Sequence, residues 1–188
     1  MSRRQALLAL AAVACLLHPG LRNFLEASMF RHMLVLYPGL LCLGWLAGHG
    51  LRQTALHRVF KSCDAQGLLT VSWVTLVGFF WMVPAALDWA VLEPLGGLAR
   101  DLSLALAGCV LAWRLPRLAA ETLLFLAGNS AWMLVTAGAL IESTPTRLCV
   151  SYRLDEQVWT GWGLIILGGS LGAWALHGVL RRSSQASA

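Results

Sequence analysis

The chain has 188 residues, of which 58% are hydrophobic and 12% are charged, and its formal net charge is +5. This composition excludes an ordinary soluble domain and places the chain among integral membrane proteins. The positive charges lie between apolar runs and form no basic patch, so they indicate membrane topology and no nucleic-acid partner. The five cysteines contain no CxxC pair and predict no disulfide framework.

Six apolar runs predict an all-α fold: residues 1–188 form one integral membrane domain, a polytopic bundle of about six transmembrane helices. The predicted spans are roughly 6–18, 27–48, 66–87, 102–115, 119–141 and 158–180. The first run makes only about 18 Å of helix, so a cleaved signal peptide is the alternative.

Proline and glycine predict several local features of these runs. A kink is expected in the second run at Pro38 and Gly39. The sixth run is rich in glycine, which predicts close packing against neighbouring helices. Between the third and fourth runs, Pro84 and the Pro-Leu-Gly-Gly segment at 94–97 are expected to interrupt the helix and form a polar hairpin.

The charges divide unequally between the two sets of connecting segments. Of the fourteen basic residues, nine fall at the amino terminus, in the second and fourth connections and at the carboxyl terminus, whereas seven of the nine acidic residues fall in the other segments. By the positive-inside rule, this asymmetry predicts that both termini are cytoplasmic.

The outer ends of the predicted spans carry a candidate metal site. Met29, His32 and Met33 lie at spacings that place them on one side of a helix, and Met82 lies near the end of the third run at the same membrane face. Thioethers and imidazole together suit copper, particularly Cu(I). The alternative for each methionine is ordinary packing, and for the histidine a hydrated position at the interface.

A second group of polar residues is predicted at the same face. Ionisable groups at membrane depth usually face the bundle interior or a partner, so this group is expected to form structural ion pairs or to contact a client. Its members are Asp88, Arg100, Asp101, Asp155 and Gln157. The chain has no HExxH or GxSxG motif, and we expect a protein that is not an enzyme.

Three segments carry a family resemblance, in the same order along the chain. The first is the pattern Trp81-x-x-Pro84-Ala-Ala-Leu-Asp88, followed by the run from Leu102 to Trp113. The second is Asp155-Glu-Gln157 ahead of Gly161, and the third is His32-Met33 ahead of Pro38 and Gly44. Together they resemble the CtaG family of caa-type cytochrome c oxidase assembly factors over roughly residues 28–170.

The chain departs from that family at its histidines. Met82 stands where the family has histidine, Gly97 and Asp101 stand where a histidine pair would fall, and only His32 remains of the first histidine motif. Six spans are predicted here, where the family typically has seven.

The resemblance implies a non-enzymatic accessory protein of the bacterial inner membrane. Its work would be copper handling or assembly of a respiratory cytochrome oxidase, with Cu(I) as a possible cofactor and oxidase subunits as partners. One alternative is a haem-binding electron-transfer protein, with His18 and His32 on the outer side and His49 and His177 on the inner side. Another is a ligand-free scaffold subunit of a membrane complex, which the missing histidines favour.

Overall fold

The structure is a computed structural model that describes residues 18–186. Every regular element in this range is helical, which confirms the all-α prediction for the described residues. The predicted span 6–18 lies outside them, except for His18. In chain order, the helices are α1 Pro19–Glu26, α2 Met29–Gln53, α3 Ala55–Cys63, α4 Leu68–Met82, α5 Pro84–Leu92, α6 Pro94–Arg114, α7 Ala120–Ser143 and α8 Leu154–Ala186.

Four helices within the described residues are long and apolar enough to cross a membrane. They are Met29–Gln53, Pro94–Arg117, Ala120–Ser143 and Leu154–Gly178. Helices α3 and α4 together are also long and apolar enough to cross a membrane, but they are bent by 97° relative to each other. They make a fifth crossing only if the bent pair is one span. Residues 18–186 are therefore all-helical, with four candidate membrane spans, or five if the bent pair is one span.

The predicted interruptions of the helix fall at Val83 and Glu93, but the expectation that residues 94–97 are themselves non-helical is wrong. Val83 and Glu93 have extended backbones, and each is followed by a proline that begins a helix, Pro84 in α5 and Pro94 in α6. Proline is well suited to the first helical position, because its missing N–H has no intrahelical partner there. The segment that was expected to stop a helix thus opens α6.

The irregularity predicted at Pro38 takes the form of a π turn. Residues His32–Leu36 form this turn inside α2, and the backbone N–H of Tyr37 donates to the carbonyl oxygen of His32. A proline ring crowds the carbonyl four residues earlier, and widening the helix just before Pro38 relieves that crowding. The π turn also places His32 and Met33 in the interior, where they are 0% and 2% exposed.

Glycines allow α2 and α6 to pack with their backbones in contact. A Cβ atom on Gly44 would overlap the carbonyl oxygen of Ala105, and one on Gly108 would overlap the carbonyl oxygen of Leu41. Small residues at such crossings let dispersion forces hold membrane helices together. Helices α2 and α6 therefore form one tightly packed pair.

Helices α7 and α8 form a second tight pair. A Cβ atom on Gly138 would lie 2.6 Å from the carbonyl oxygen of Gly161. A Cβ atom on Gly161 would lie 2.6 Å from the carbonyl oxygen of Gly138 and from the Glu142 side chain. Gly168 lies similarly close to Ala131, whereas Gly169 faces open space. The prediction that glycines in 158–180 permit close helix packing is confirmed for Gly161 and Gly168.

Candidate functional site

Arg100 is the centre of a buried polar network. The Arg100 side chain and backbone together are 0% exposed. Its Nη2 lies 2.7 Å from Glu26 Oε1 and 2.7 Å from Asp101 Oδ1, and its Nη1 lies 2.7 Å from His32 Nε2. These contacts join α1, α2 and α6 at one end of the bundle. We call Arg22, Glu26, His32, Arg100, Asp101 and Tyr152 the Arg100 network.

A second arginine balances the charge of this network. Arg22 Nη1 donates to Asp101 Oδ2 over 2.7 Å, and Arg22 Nε donates to Glu26 Oε1 over 3.1 Å. Two guanidinium groups therefore face two carboxylates, and the formal charges cancel. A buried charge is costly unless it is paired and hydrogen-bonded, and here each carboxylate accepts from both arginines.

The contacts of His32 determine its protonation state. Arginine can only donate hydrogen bonds, so His32 Nε2 must be the acceptor for Arg100 Nη1. The proton of the neutral imidazole is then on Nδ1, which lies 2.5 Å from the hydroxyl oxygen of Tyr152 and donates to it. An imidazolium would direct an N–H at the guanidinium, so the network holds His32 in the neutral form.

The loop Thr144–Arg153, which carries Tyr152, is held by two polar side chains. Asp88 in α5 accepts hydrogen bonds from the backbone N–H groups of Val150, at 2.9 Å, and Ser151, at 3.2 Å. Gln157 in α8 accepts from the N–H of Leu148 at 3.1 Å. Its Nε2 donates to three backbone carbonyl oxygens, those of Ile141, Thr144 and Thr146.

Two side chains of this loop are kept neutral by burial. Burial, with a contribution from nearby Asp88, raises the pKa of the Cys149 thiol to about 12. Burial also raises the pKa of Tyr152, so its hydroxyl remains protonated beside His32. Because a thiolate is the form of cysteine that attacks electrophiles and binds metals, Cys149 is an inert packing residue.

A smaller buried cluster lies at the other end of α6. Arg114 Nε is 2.8 Å from Asp64 Oδ2, and Arg114 Nη2 donates to the backbone oxygen of Asp64 over 2.8 Å. Asp64 also accepts from the Thr70 hydroxyl at 2.7 Å and from the N–H of Leu69 at 2.9 Å. Asp64 thereby connects α6 to the start of α4.

The structure separates the four predicted metal ligands. His32 has both ring nitrogens engaged by Arg100 and Tyr152. Met33 and Met82 line one apolar cavity together with Met133, whereas Met29 and His32 do not line it. Among the residues that the structure describes, no group of three or more histidine, cysteine, aspartate and glutamate side chains could hold a metal ion.

The predicted polar cluster is also divided. Arg100 and Asp101 form the buried network, Asp88 and Gln157 anchor the loop, and Asp155 pairs with Arg153 at the exposed surface over 3.1 Å. The sequence analysis missed Arg22 and Glu26 as members of the network. Their i, i+4 spacing in a short helix that begins at Pro19 was the available signal, since such a pair faces one side.

Three of the four histidines of the haem alternative have ring-nitrogen contacts within the protein. His18 is exposed and caps α1, where its Nδ1 accepts from the N–H of Gly20 at 3.2 Å. His49 Nδ1 lies 2.9 Å from the carbonyl oxygen of Trp45, and His177 is exposed on α8. His32 has no ring nitrogen left for a haem iron unless the Arg100 network opens.

Comparison of the chain with protein-family models, curated proteins and solved structures finds no match.

Replacing Arg100 by Met should destabilise the protein strongly. The substitution leaves His32 Nε2 without its donor and removes one of the two cations that face Glu26 and Asp101. Breaking a buried pair in this way costs about 3–5 kcal/mol. Arg153→Met is the matched control, because Arg153 is exposed and pairs only at the surface. Thermal unfolding in detergent should show a much lower midpoint for Arg100→Met only; equal midpoints would contradict the network's structural role.

Cys149 should not react with maleimide in the folded protein at about pH 8, because a thiol with a raised pKa is protonated there. Cys63 is exposed and should be labelled under the same conditions. Peptide mass spectrometry after labelling measures both sites, and the unfolded protein should show both labelled. Equal labelling of the two cysteines in the folded protein is the contradictory result.

Proposed function

We propose that this chain is a non-enzymatic accessory protein of a bacterial inner membrane, and that it acts as a scaffold in the assembly of a membrane complex. The resemblance to CtaG suggests a respiratory cytochrome oxidase as the client. The observation that carries the proposal is the closure of the Arg100 network. Its charges cancel and His32 has both ring nitrogens engaged, so the network suits a holding role.

The surface offered to the client in this proposal is the loop Thr144–Arg153. Asp88 and Gln157 hold its backbone, and Tyr152 ties it to the Arg100 network. Val150, whose N–H is held by Asp88, is nevertheless 82% exposed. A rigidly held backbone that presents an exposed apolar side chain is suited to binding another protein, because little conformational entropy is lost on contact.

Val150→Lys should therefore impair assembly of the client complex while the chain itself accumulates normally. Arg153→Ala is the control, since it changes an exposed residue of the same loop without removing apolar surface. In a strain whose own copy is deleted, native gels and the haem spectrum of the membranes measure assembled oxidase. Normal oxidase in the deletion strain would refute this client, and normal oxidase with Val150→Lys would refute this surface.

We also propose six crossings with both termini in the cytoplasm. In this arrangement the span 6–18 precedes the described residues, α4 crosses the membrane, and α3 lies along its inner surface at 97° to α4. Leu56 and Val59 of α3 are each 61% exposed, which suits contact with lipid. Exposed Cys63 should then be labelled by an impermeant maleimide only after the cells are opened. Labelling of Cys63 in intact cells would contradict the proposed topology and place this residue outside the cytoplasm.

Copper handling is the second candidate function. The observation that favours it is that Met33 and Met82 line one cavity with a third thioether, from Met133. Met33→Leu with Met82→Leu should then abolish Cu(I) binding, and Met29→Leu should not, because Met29 is buried elsewhere. Anaerobic Cu(I) loading with competition by a chelator measures the affinity. Equal binding by both variants, or none by the unaltered chain, would eliminate copper at this site.

A further inference from the structure

An elongated cavity lies where the two tight helix pairs meet. Its walls come from α2 and α6 on one side, α7 and α8 on the other, and α4 between them. The glycine contacts hold the backbones together within each pair. Between the pairs larger side chains meet and leave a volume of about 360 Å³. This volume is within the usual range of small-molecule sites, about 300–1,000 Å³.

The dimensions of the cavity fit one hydrocarbon chain. Along α6 its lining extends from Leu104 to Leu115, eleven residues apart, which corresponds to about 17 Å of helix. An extended hydrocarbon chain can lie along a lining of this length. Since a protein cavity of about 150 Å³ accommodates benzene, this volume corresponds to roughly fourteen carbon atoms.

The lining is chemically suited to a hydrocarbon. No charged residue contributes to it, and the Tyr37 hydroxyl, one of its few polar groups, already donates to the carbonyl oxygen of Trp81 at 3.3 Å. Cavities lined in this way stay dry and accept apolar ligands.

The three methionines give the cavity an adaptable wall. Met33, Met82 and Met133 come from three different helices and are the flexible members of the lining. The Met133 methyl group lies over Gly78, 3.1 Å from where a Cβ would be, so this side chain has only a glycine beneath it. Unbranched thioether side chains rearrange readily around an apolar ligand.

We propose that this cavity is a binding site for the linear acyl chain of a membrane lipid, one chain per protein molecule. The chain lies parallel to the helices between α4 and α7, with Trp81 and Trp174 among its neighbours. This inference rests on the cavity alone and does not depend on the scaffold function.

Direct binding of radiolabelled tetradecanoic acid to the full-length protein in digitonin tests the proposal, since that detergent carries no linear acyl chain that would compete for the cavity. Ala127→Phe puts a ring into the cavity and should weaken binding by at least roughly tenfold. Gly128→Phe is the matched control, because the neighbouring Gly128 faces open space, and it should bind like the unaltered chain. Ser130→Phe blocks the same cavity from a half-buried position, if Ala127→Phe fails to fold.

Saturable binding of one acid per chain, lost in a folded blocking variant and kept in Gly128→Phe, supports the site. No saturable binding, or equal binding by blocked and control variants, overturns it. Stronger competition by geranylgeraniol than by unlabelled tetradecanoic acid would assign the cavity to an isoprenoid instead. Displacement of the acid by Cu(I) alone would assign it to the metal. Neither of these results would affect the oxidase-assembly test, which is measured in cells on the loop Thr144–Arg153.

Discussion

The fold depends on satisfying one guanidinium group inside the bundle. Arg100 is completely buried, and a buried cation without partners would be strongly destabilising. Two of its partners lie on other helices, Glu26 at the end of α1 and His32 in the π turn of α2. The positions of these helices relative to α6 are therefore coupled to a single side chain, and the loop Thr144–Arg153 is coupled to them through Tyr152.

The two interior sites have opposite chemistry. In the Arg100 network the charges are paired and His32 has both nitrogens engaged, so the arrangement resists change. The cavity between the helix pairs is lined by apolar side chains and contains space, so it is suited to an added apolar molecule. The described part of the chain therefore combines a closed polar network at one end with an apolar cavity in its interior.

The helical class and most helix positions follow from the sequence, because long apolar runs bounded by charges have few alternatives. The helix is interrupted at Glu93, close to the predicted position, but residues 94–97 are helical, because proline is favourable at the first position of a helix and unfavourable in its interior. The site was predicted in part: Arg100, Asp101 and His32 were identified, but as members of two separate sites. The three residues meet because the π turn in α2 directs His32 into the interior. Regular helical spacing does not predict this orientation.

The most direct test of this account is the protonation state of His32, measured by nitrogen NMR of the protein in lipid with labelled histidine and assigned with a Tyr152→Phe variant. The account predicts a neutral ring with the proton on Nδ1 and an unprotonated, hydrogen-bonded Nε2, unchanged on either side of about pH 6.5, where a free histidine titrates. An imidazolium, or a ring with its proton on Nε2, would contradict the Arg100 network as described.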